Sequence, residues 1–212
     1  MKIDPRLKNR LRFNQLEPDA RDRLRRFYHL TSAEAALQIV QSGFIWSAEP
    51  DLCPHFTPNR DSQLSIPGAP DIWLRFQFSG AAHLVPEEAP ASSFLANAMY
   101  LQLYEWPDMF NLQGMRVARV RVAAGTSSGL ECIGFQASEA FLERCKTDIA
   151  ATLMLTQLKR LTAISRSVQV PKDAAQRAAL QAQFPVPRFS ALEIYKMRFF
   201  LWRRRLQKRF AG

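Results

Sequence analysis

Residues 27–46, FYHLTSAEAALQIVQSGFIW, hold the pattern that decides the fold of this chain. The apolar run at 27–30 predicts a strand. The TSAE sequence after it is typical of a capping box, in which Thr31 caps a helix and Glu34 reaches back to the cap. Apolar side chains then recur at helical spacing until Gly43, which suits the left-handed end of a helix. The stretch therefore predicts a strand, a capped helix and a second extended segment.

Outward from this unit, strands and helices follow one another without regular βαβ alternation. Apolar alternation and β-branched residues predict strands at 55–57, 71–78, 115–123, 130–135 and 191–197. Helices are predicted at 5–26 with a break at Pro18, at 94–106, from 138 to between 150 and 160, and at 174–183, while 199–210 suits a helix or a strand with a tail. This order favours the α+β class over a doubly wound sheet.

The length of 212 residues and the hydrophobic fraction of 47% suit one folded domain over residues 1–212. Within it we expect a basic helical N-terminal segment at 1–26, a core at 27–197 and a basic, aromatic C-terminal segment at 198–212.

The net charge of +10 is concentrated at the two ends of the chain. Residues 1–27 contain nine Lys or Arg against four Asp or Glu, and residues 196–212 contain seven against none. Such ends favour an anionic partner, which could be DNA or RNA, an anionic membrane surface or an acidic protein. The alternative is that the charged ends serve only to keep the protein in solution.

Several function classes lack their sequence patterns here. The three cysteines, Cys53, Cys132 and Cys145, are too few and too far apart for a disulfide framework or a zinc site, which indicates a reducing compartment and no metal. The basic start is not followed by the apolar stretch of a signal peptide, and no apolar run is long enough for a transmembrane helix. No glycine-rich phosphate loop or GxSxG motif occurs. We expect a cytoplasmic protein.

Three stretches carry a family resemblance: YHLTSAEAALQIVQSGFI at 28–45, HFTPNRDSQLSI at 55–66 and SALEIYKMRFF at 190–200. Together they resemble the ADP-ribosyltransferase-like fold, particularly its bacterial toxin branches, such as DarT-like DNA-modifying toxins and abortive-infection proteins. His29 and Thr31 match the end of the first strand of that family, and Glu193 matches a glutamate that the family carries on a strand near the C-terminus. The resemblance implies a split mixed or antiparallel sheet surrounded by helices.

The resemblance also implies NAD as a substrate and a set of catalytic residues. Breaking the bond between nicotinamide and ribose passes through an oxocarbenium-like state, which a nearby carboxylate stabilises. Glu193 would supply that carboxylate and hold the ribose 2′-hydroxyl, and His29 would bond a ribose hydroxyl. Arg60 would bind the pyrophosphate or steer the acceptor through its planar guanidinium.

Further residues would line the cofactor site. Leu30 and Thr31 would lie against NAD beside His29, with the Leu30 backbone holding the nicotinamide amide. The stacking aromatic is left open between Phe56, Trp46 and Tyr100, because the family usually places a tyrosine on its second strand. The structural alternatives are a core histidine at His29, an outward-facing strand residue at 193, a solvated charge at residue 60 and core aromatics.

The C-terminal sequence FFLWRRRLQKRF interleaves aromatic residues with arginine and lysine. Aromatic rings can stack on unpaired bases while cations neutralise phosphates. The predicted nucleic-acid-binding residues are Arg198, Arg203, Arg204, Arg205, Lys208 and Arg209. The same composition suits a helix on an anionic membrane surface, or aromatics docked on the core.

The sequence thus predicts an NAD-dependent ADP-ribosyltransferase, of the toxin or phage-defence kind, that modifies nucleic acid or a nucleic-acid-associated protein. The alternative is a non-catalytic, basic nucleic-acid-binding module.

Overall fold

The computed structural model describes residues 12–47, 51–58, 70–104, 117–185 and 187–210. The helices in this part are α1 (Pro18–Leu24), α2 (Ala33–Ser42), α3 (Glu139–Thr147), α4 (Ile149–Leu161), α5 (Ala174–Gln183) and α6 (Ala191–Phe210), with 3-10 turns at Phe13–Gln15 and Ala91–Ser93. The strands are β1 (Arg26–Thr31), β2 (His55–Phe56), β3 (Ile72–Phe78), β4 (Ala81–Pro86), β5 (Ala98–Leu103), β6 (Val117–Val122), β7 (Leu130–Ala137) and β8 (Arg166–Ser167). The predicted α+β class is confirmed.

The strands form two four-stranded sheets. The first sheet has the order β1-β3-β7-β8 and is antiparallel throughout. The second sheet has the order β2-β6-β5-β4, and β4 and β5 form its one parallel pair among the described strands. A bridge joins the two sheets, because the backbones of Tyr28 and Thr57 exchange two hydrogen bonds of 2.9 and 2.8 Å. β1 and the end of β2 are therefore neighbours.

The larger of two hydrophobic clusters contains side chains from both sheets. Phe27 on β1, Phe56 on β2 and Phe76 on β3 meet there, with ring centroids of the first two 4.7 Å apart and those of the last two 5.3 Å apart. Buried side chains of α2 and α4 belong to the same cluster, as do Phe13 and Leu16 from the N-terminal segment. Burial of this apolar surface is the main force that holds the sheets and helices together.

The strand–helix–glycine unit forms as its sequence predicts, with one correction. The N-cap of α2 is Ser32, whose hydroxyl accepts from the amide of Ala35 at 3.2 Å, whereas Thr31 belongs to β1. The predicted cap at Thr31 is wrong by one residue, because Thr31 pairs with Ile72 in the sheet. Gly43 ends α2 with a φ of 70°, as predicted.

The helix predicted at 94–106 is wrong. Residues 98–103 form β5, which is buried along its whole length between β4 and β6. A strand covered on both faces shows a continuous apolar run, and such a run does not differ in pattern from a buried helix.

The strand predicted at 191–197 is also wrong, since these residues begin α6. Ser190 and Glu193 have the spacing of a capping box, and the half-buried positions Ile194, Met197 and Leu201 follow at helical intervals. The prediction followed the short apolar alternation in ALEIYKM, whereas the longer spacing of three and four residues corresponds to a helix.

The predicted break at Pro18 is confirmed, because α1 begins at this residue, which is a position that proline favours. Residues 5–11 of that predicted helix lie outside the described part of the chain. One boundary differs from the predictions. Asp148 separates α3 from α4 and caps α4 through bonds from the amides of Ala150 and Ala151. Ser138 caps α3 as predicted.

Candidate nucleic-acid interface

Glu193 lies at the solvent-exposed start of α6. Its carboxylate accepts hydrogen bonds of 2.8 Å from both the amide and the hydroxyl of Ser190, and its own amide donates to the Ser190 hydroxyl at 3.2 Å. These bonds from Ser190 lower the pKa of the carboxyl below its ordinary value. The geometry makes Glu193 one half of a capping box, so its side chain is occupied with starting the helix.

The first three turns of α6 carry an exposed apolar stripe. Leu192, Tyr195, Phe199 and Trp202 are spaced by three, four and three residues and are 52–66% exposed. Side chains at this spacing share one face of a helix. Phe199 and Trp202 contact each other, with ring centroids 5.7 Å apart. The opposite, half-buried face of α6 packs on α4.

Basic side chains lie on both sides of this stripe. At 3.6 residues per turn, Lys196 and Arg203 lie along one edge and Arg198 along the other. All three are exposed. Arg204, Arg205, Lys208 and Arg209 continue α6, but only their backbone is among the described parts of the chain. The described basic side chains thus flank the aromatic stripe on both of its edges.

A groove of about 230 Å³ runs between α6 and the junction of α3 with α4. Its lining combines Arg198, Leu201 and Trp202 from α6 with residues 145–149 and Thr152. Cys145 is half-buried, and burial raises the pKa of its thiol above the ordinary value. The groove places a cation and an indole ring side by side.

The predicted catalytic histidine lies elsewhere, in the middle of β1. His29 is half-buried, its ring stands edge-on to Phe56 at 5.6 Å, and its Nδ1 is 2.9 Å from the carbonyl oxygen of His55. A carbonyl only accepts, so Nδ1 carries the proton and donates. Burial lowers the pKa of His29, against the smaller opposing effect of that hydrogen bond. The ring is therefore neutral in the folded protein at neutral pH.

The other predicted cofactor-binding residues are only partly together. Leu30 is on the opposite face of β1 from His29 and Thr31, because successive strand residues alternate. Phe56 is fully buried and has no face open to a ligand, so the predicted stacking role does not fit its position. Trp46 is half-buried after α2. Arg60 lies outside the described residues.

A row of polar side chains crosses the outer face of the first sheet. Arg26, Gln77, Glu131 and Ser167 are direct neighbours on β1, β3, β7 and β8, and all four are exposed. Glu131 is the one acidic residue in the described strands. In the sequence Glu131 lies between Leu130 and Cys132, a pattern that predicts a strand and does not single out the carboxylate.

One row farther along the same face, Tyr28 is opposite Arg75, which in turn is opposite Gly134. A side chain added at Gly134 would have no atom within 4 Å, so the sheet is open there. This face therefore combines a carboxylate, an arginine and a half-buried tyrosine around an uncovered position.

No protein-family model, curated protein or solved structure matches this chain. Among the described residues, no group of three or more His, Cys, Asp or Glu side chains is arranged to hold a metal ion. None of the described helices has the length and apolar character needed to cross a membrane.

Proposed function

We propose that the protein binds single-stranded nucleic acid through α6. The observation that carries this proposal is the stripe of Tyr195, Phe199 and Trp202, exposed to solvent and flanked on both sides by cations. Exposed apolar patches of this kind usually mark an interaction surface. Their aromatic character favours the faces of unpaired bases, which a duplex keeps stacked, and the arginines match phosphates.

The size of each contribution makes the proposal testable. Removing an aromatic ring that stacks on a base weakens binding by about 1–3 kcal/mol, or roughly 5- to 150-fold in Kd. Removing a cation that neutralises a phosphate lowers the slope of log K against log salt by about 0.7 for a single strand. Trp202→Ala should show the first effect and Arg203→Gln the second.

The measurement is the fluorescence anisotropy of a labelled single-stranded oligonucleotide over a range of salt concentrations. Ile164→Ala, at a side chain that is 79% exposed, and Arg188→Gln, at an exposed arginine outside α6, are the matched controls. They should bind as the wild type does. Unchanged binding by both α6 variants would exclude this helix as the interface, and binding to anionic vesicles but not to oligonucleotides would assign it to a membrane surface.

A second candidate function is the NAD-dependent ADP-ribosyltransferase that the sequence resembles, with nucleic acid held by α6 as the acceptor. The family resemblance requires a glutamate on a strand, and Glu193 is on a helix. Glu131 is on a strand, β7, although in the middle of the chain rather than near its C-terminus, and it is exposed on the same face as Arg75 and Tyr28. The proposed carboxylate for the oxocarbenium-like state is therefore Glu131, with NAD as substrate and a toxin or phage-defence effector as the class.

Release of nicotinamide from NAD in the presence of single-stranded DNA or RNA tests this second function. Glu131→Gln should abolish release, whereas Glu193→Gln should retain it and lose only some helix stability. If only Glu193→Gln lost activity, Glu193 and not Glu131 would be the catalytic carboxylate. No release by the wild-type protein with any acceptor leaves the binding function standing and rejects the transferase.

A further inference from the structure

A second feature of the molecule lies far along the chain from α6, in its N-terminal basic segment. A pocket of about 280 Å³ opens beside α1. It is lined by Phe13, Asn14, Pro18, Arg21, Asp22 and Arg25. With two arginines and one aspartate, the lining has a net charge of +1. The pocket has the volume of about nine water molecules at about 30 Å³ each, so it suits a small ligand or one group of a larger ligand.

Arg25 is held firmly at one side of this pocket. Its Nη1 donates to the carbonyl oxygens of Phe78 and Gly80, at 2.8 and 2.9 Å, and its guanidinium lies over the ring of Phe13 at 5.2 Å. These contacts connect α1 to the turn between β3 and β4. They also fix the direction of the positive charge, so a ligand would not have to order this side chain on binding.

Arg21 has a donor without an acceptor. Its Nε is buried, and no hydrogen-bond partner lies within reach among the described residues. Buried donors are almost always satisfied, and a guanidinium N–H left without an acceptor is costly. An ion or a water completes some of the exceptions. Arg21 therefore lacks an acceptor for Nε among the described residues, and it lines the pocket.

We infer that this pocket binds a phosphoryl group. The planar guanidinium fork matches tetrahedral phosphate oxygens, and two arginines around one small pocket supply the charge. Asp22 also lines the pocket, and its negative charge opposes the binding of an anion. A bound phosphoryl group therefore needs both arginines to offset that repulsion. The phosphoryl group belongs either to a small phosphorylated molecule or to the backbone of a nucleic acid.

The pocket itself is tested without a mutation by NMR of the arginine Nε–H groups. Titration with inorganic phosphate, in place of chloride at constant ionic strength, should shift the Arg21 Nε–H resonance in a saturable way. Arg21→Gln and Arg21→Lys should bind phosphate about tenfold more weakly or worse. Arg23→Gln, at an exposed arginine of the same helix that does not line the pocket, should bind as the wild type does. An Arg21 resonance that does not move, or equal weakening by Arg23→Gln, would overturn the inference.

A competition experiment identifies the source of the phosphoryl group. If saturating phosphate weakens binding of a single-stranded oligonucleotide to the wild type but not to Arg21→Gln, the pocket holds a backbone phosphate. If the oligonucleotide binds equally with and without phosphate, the pocket serves a small phosphorylated molecule. The NMR arm does not depend on α6, so it succeeds or fails separately from the proposed nucleic-acid interface.

Discussion

His29 is a titratable group built into the core side of β1. Its ring packs against Phe56 and its Nδ1–H donates to the backbone of His55, which links β1 to β2 at the joint between the two sheets. These contacts require the His29 ring but not a positive charge on it. Burial lowers the pKa of His29 from the ordinary 6.5. A proton on His29 therefore opposes folding, because only the unfolded chain hydrates the charge fully.

This coupling predicts how stability changes with pH. The contribution of His29 is complete above pH 6.5, where folded and unfolded chains are both neutral at this ring, and is lost progressively as the pH falls below 6.5. The slope it adds is at most about 1.4 kcal/mol per pH unit. Urea unfolding between neutral and mildly acidic pH should show a smaller slope for His29→Gln than for the wild type. Ile164→Ala, at an exposed apolar side chain that does not titrate, is the control and should keep the wild-type slope.

At the level of single elements, the two adjacent hydroxyl residues at the start of α2, Thr31 and Ser32, have different roles. Ser32 accepts from the amide of Ala35, while Thr31 belongs to the strand. Loss of an N-cap costs about 1 kcal/mol. Ser32→Ala should therefore lower the free energy of unfolding in urea by about that amount, and Thr31→Val, which removes a hydroxyl at similar volume, should not. A larger loss for Thr31→Val would restore the cap that the sequence alone suggests.

The sequence was most informative where local chemistry decides the structure. Gly43, Ser138 and the alternation of β3 all specify their elements within a few residues, and each is where the pattern predicts it. β5 could not be identified in this way, since its all-buried pattern depends on strands far away in the chain. The strand predicted around Glu193 was wrong for a related reason. A short apolar alternation resembled a strand, and Ser190 three residues before it starts a helix instead.

At the level of the whole molecule, the charged ends are not equivalent. The N-terminal segment contains Phe13 and Leu16, which belong to the common core, and its Arg25 binds the turn between β3 and β4. Net charge alone does not reveal this, because it records the arginines and not the two apolar side chains between them. The C-terminal helix instead leaves its aromatic stripe in solvent. The N-terminal end thus adds buried apolar side chains to the core, while the C-terminal helix packs on α4 through one face and presents an exposed aromatic stripe on the other.

Phe13 tests whether the N-terminal segment and the sheets fold as one unit. It is 6% exposed, and truncation of a buried phenylalanine to alanine costs about 3–5 kcal/mol when the surrounding core is intact. Phe13→Ala should reduce the free energy of unfolding by an amount in this range, with circular dichroism and tryptophan fluorescence still reporting one coincident transition in urea. Ile164→Ala, at an exposed apolar residue, should stay within about 0.5 kcal/mol of the wild type. A near-neutral Phe13→Ala, or two separate transitions, would mean that the N-terminal segment unfolds on its own and that the pocket around Arg21 and Arg25 is not fixed by the core.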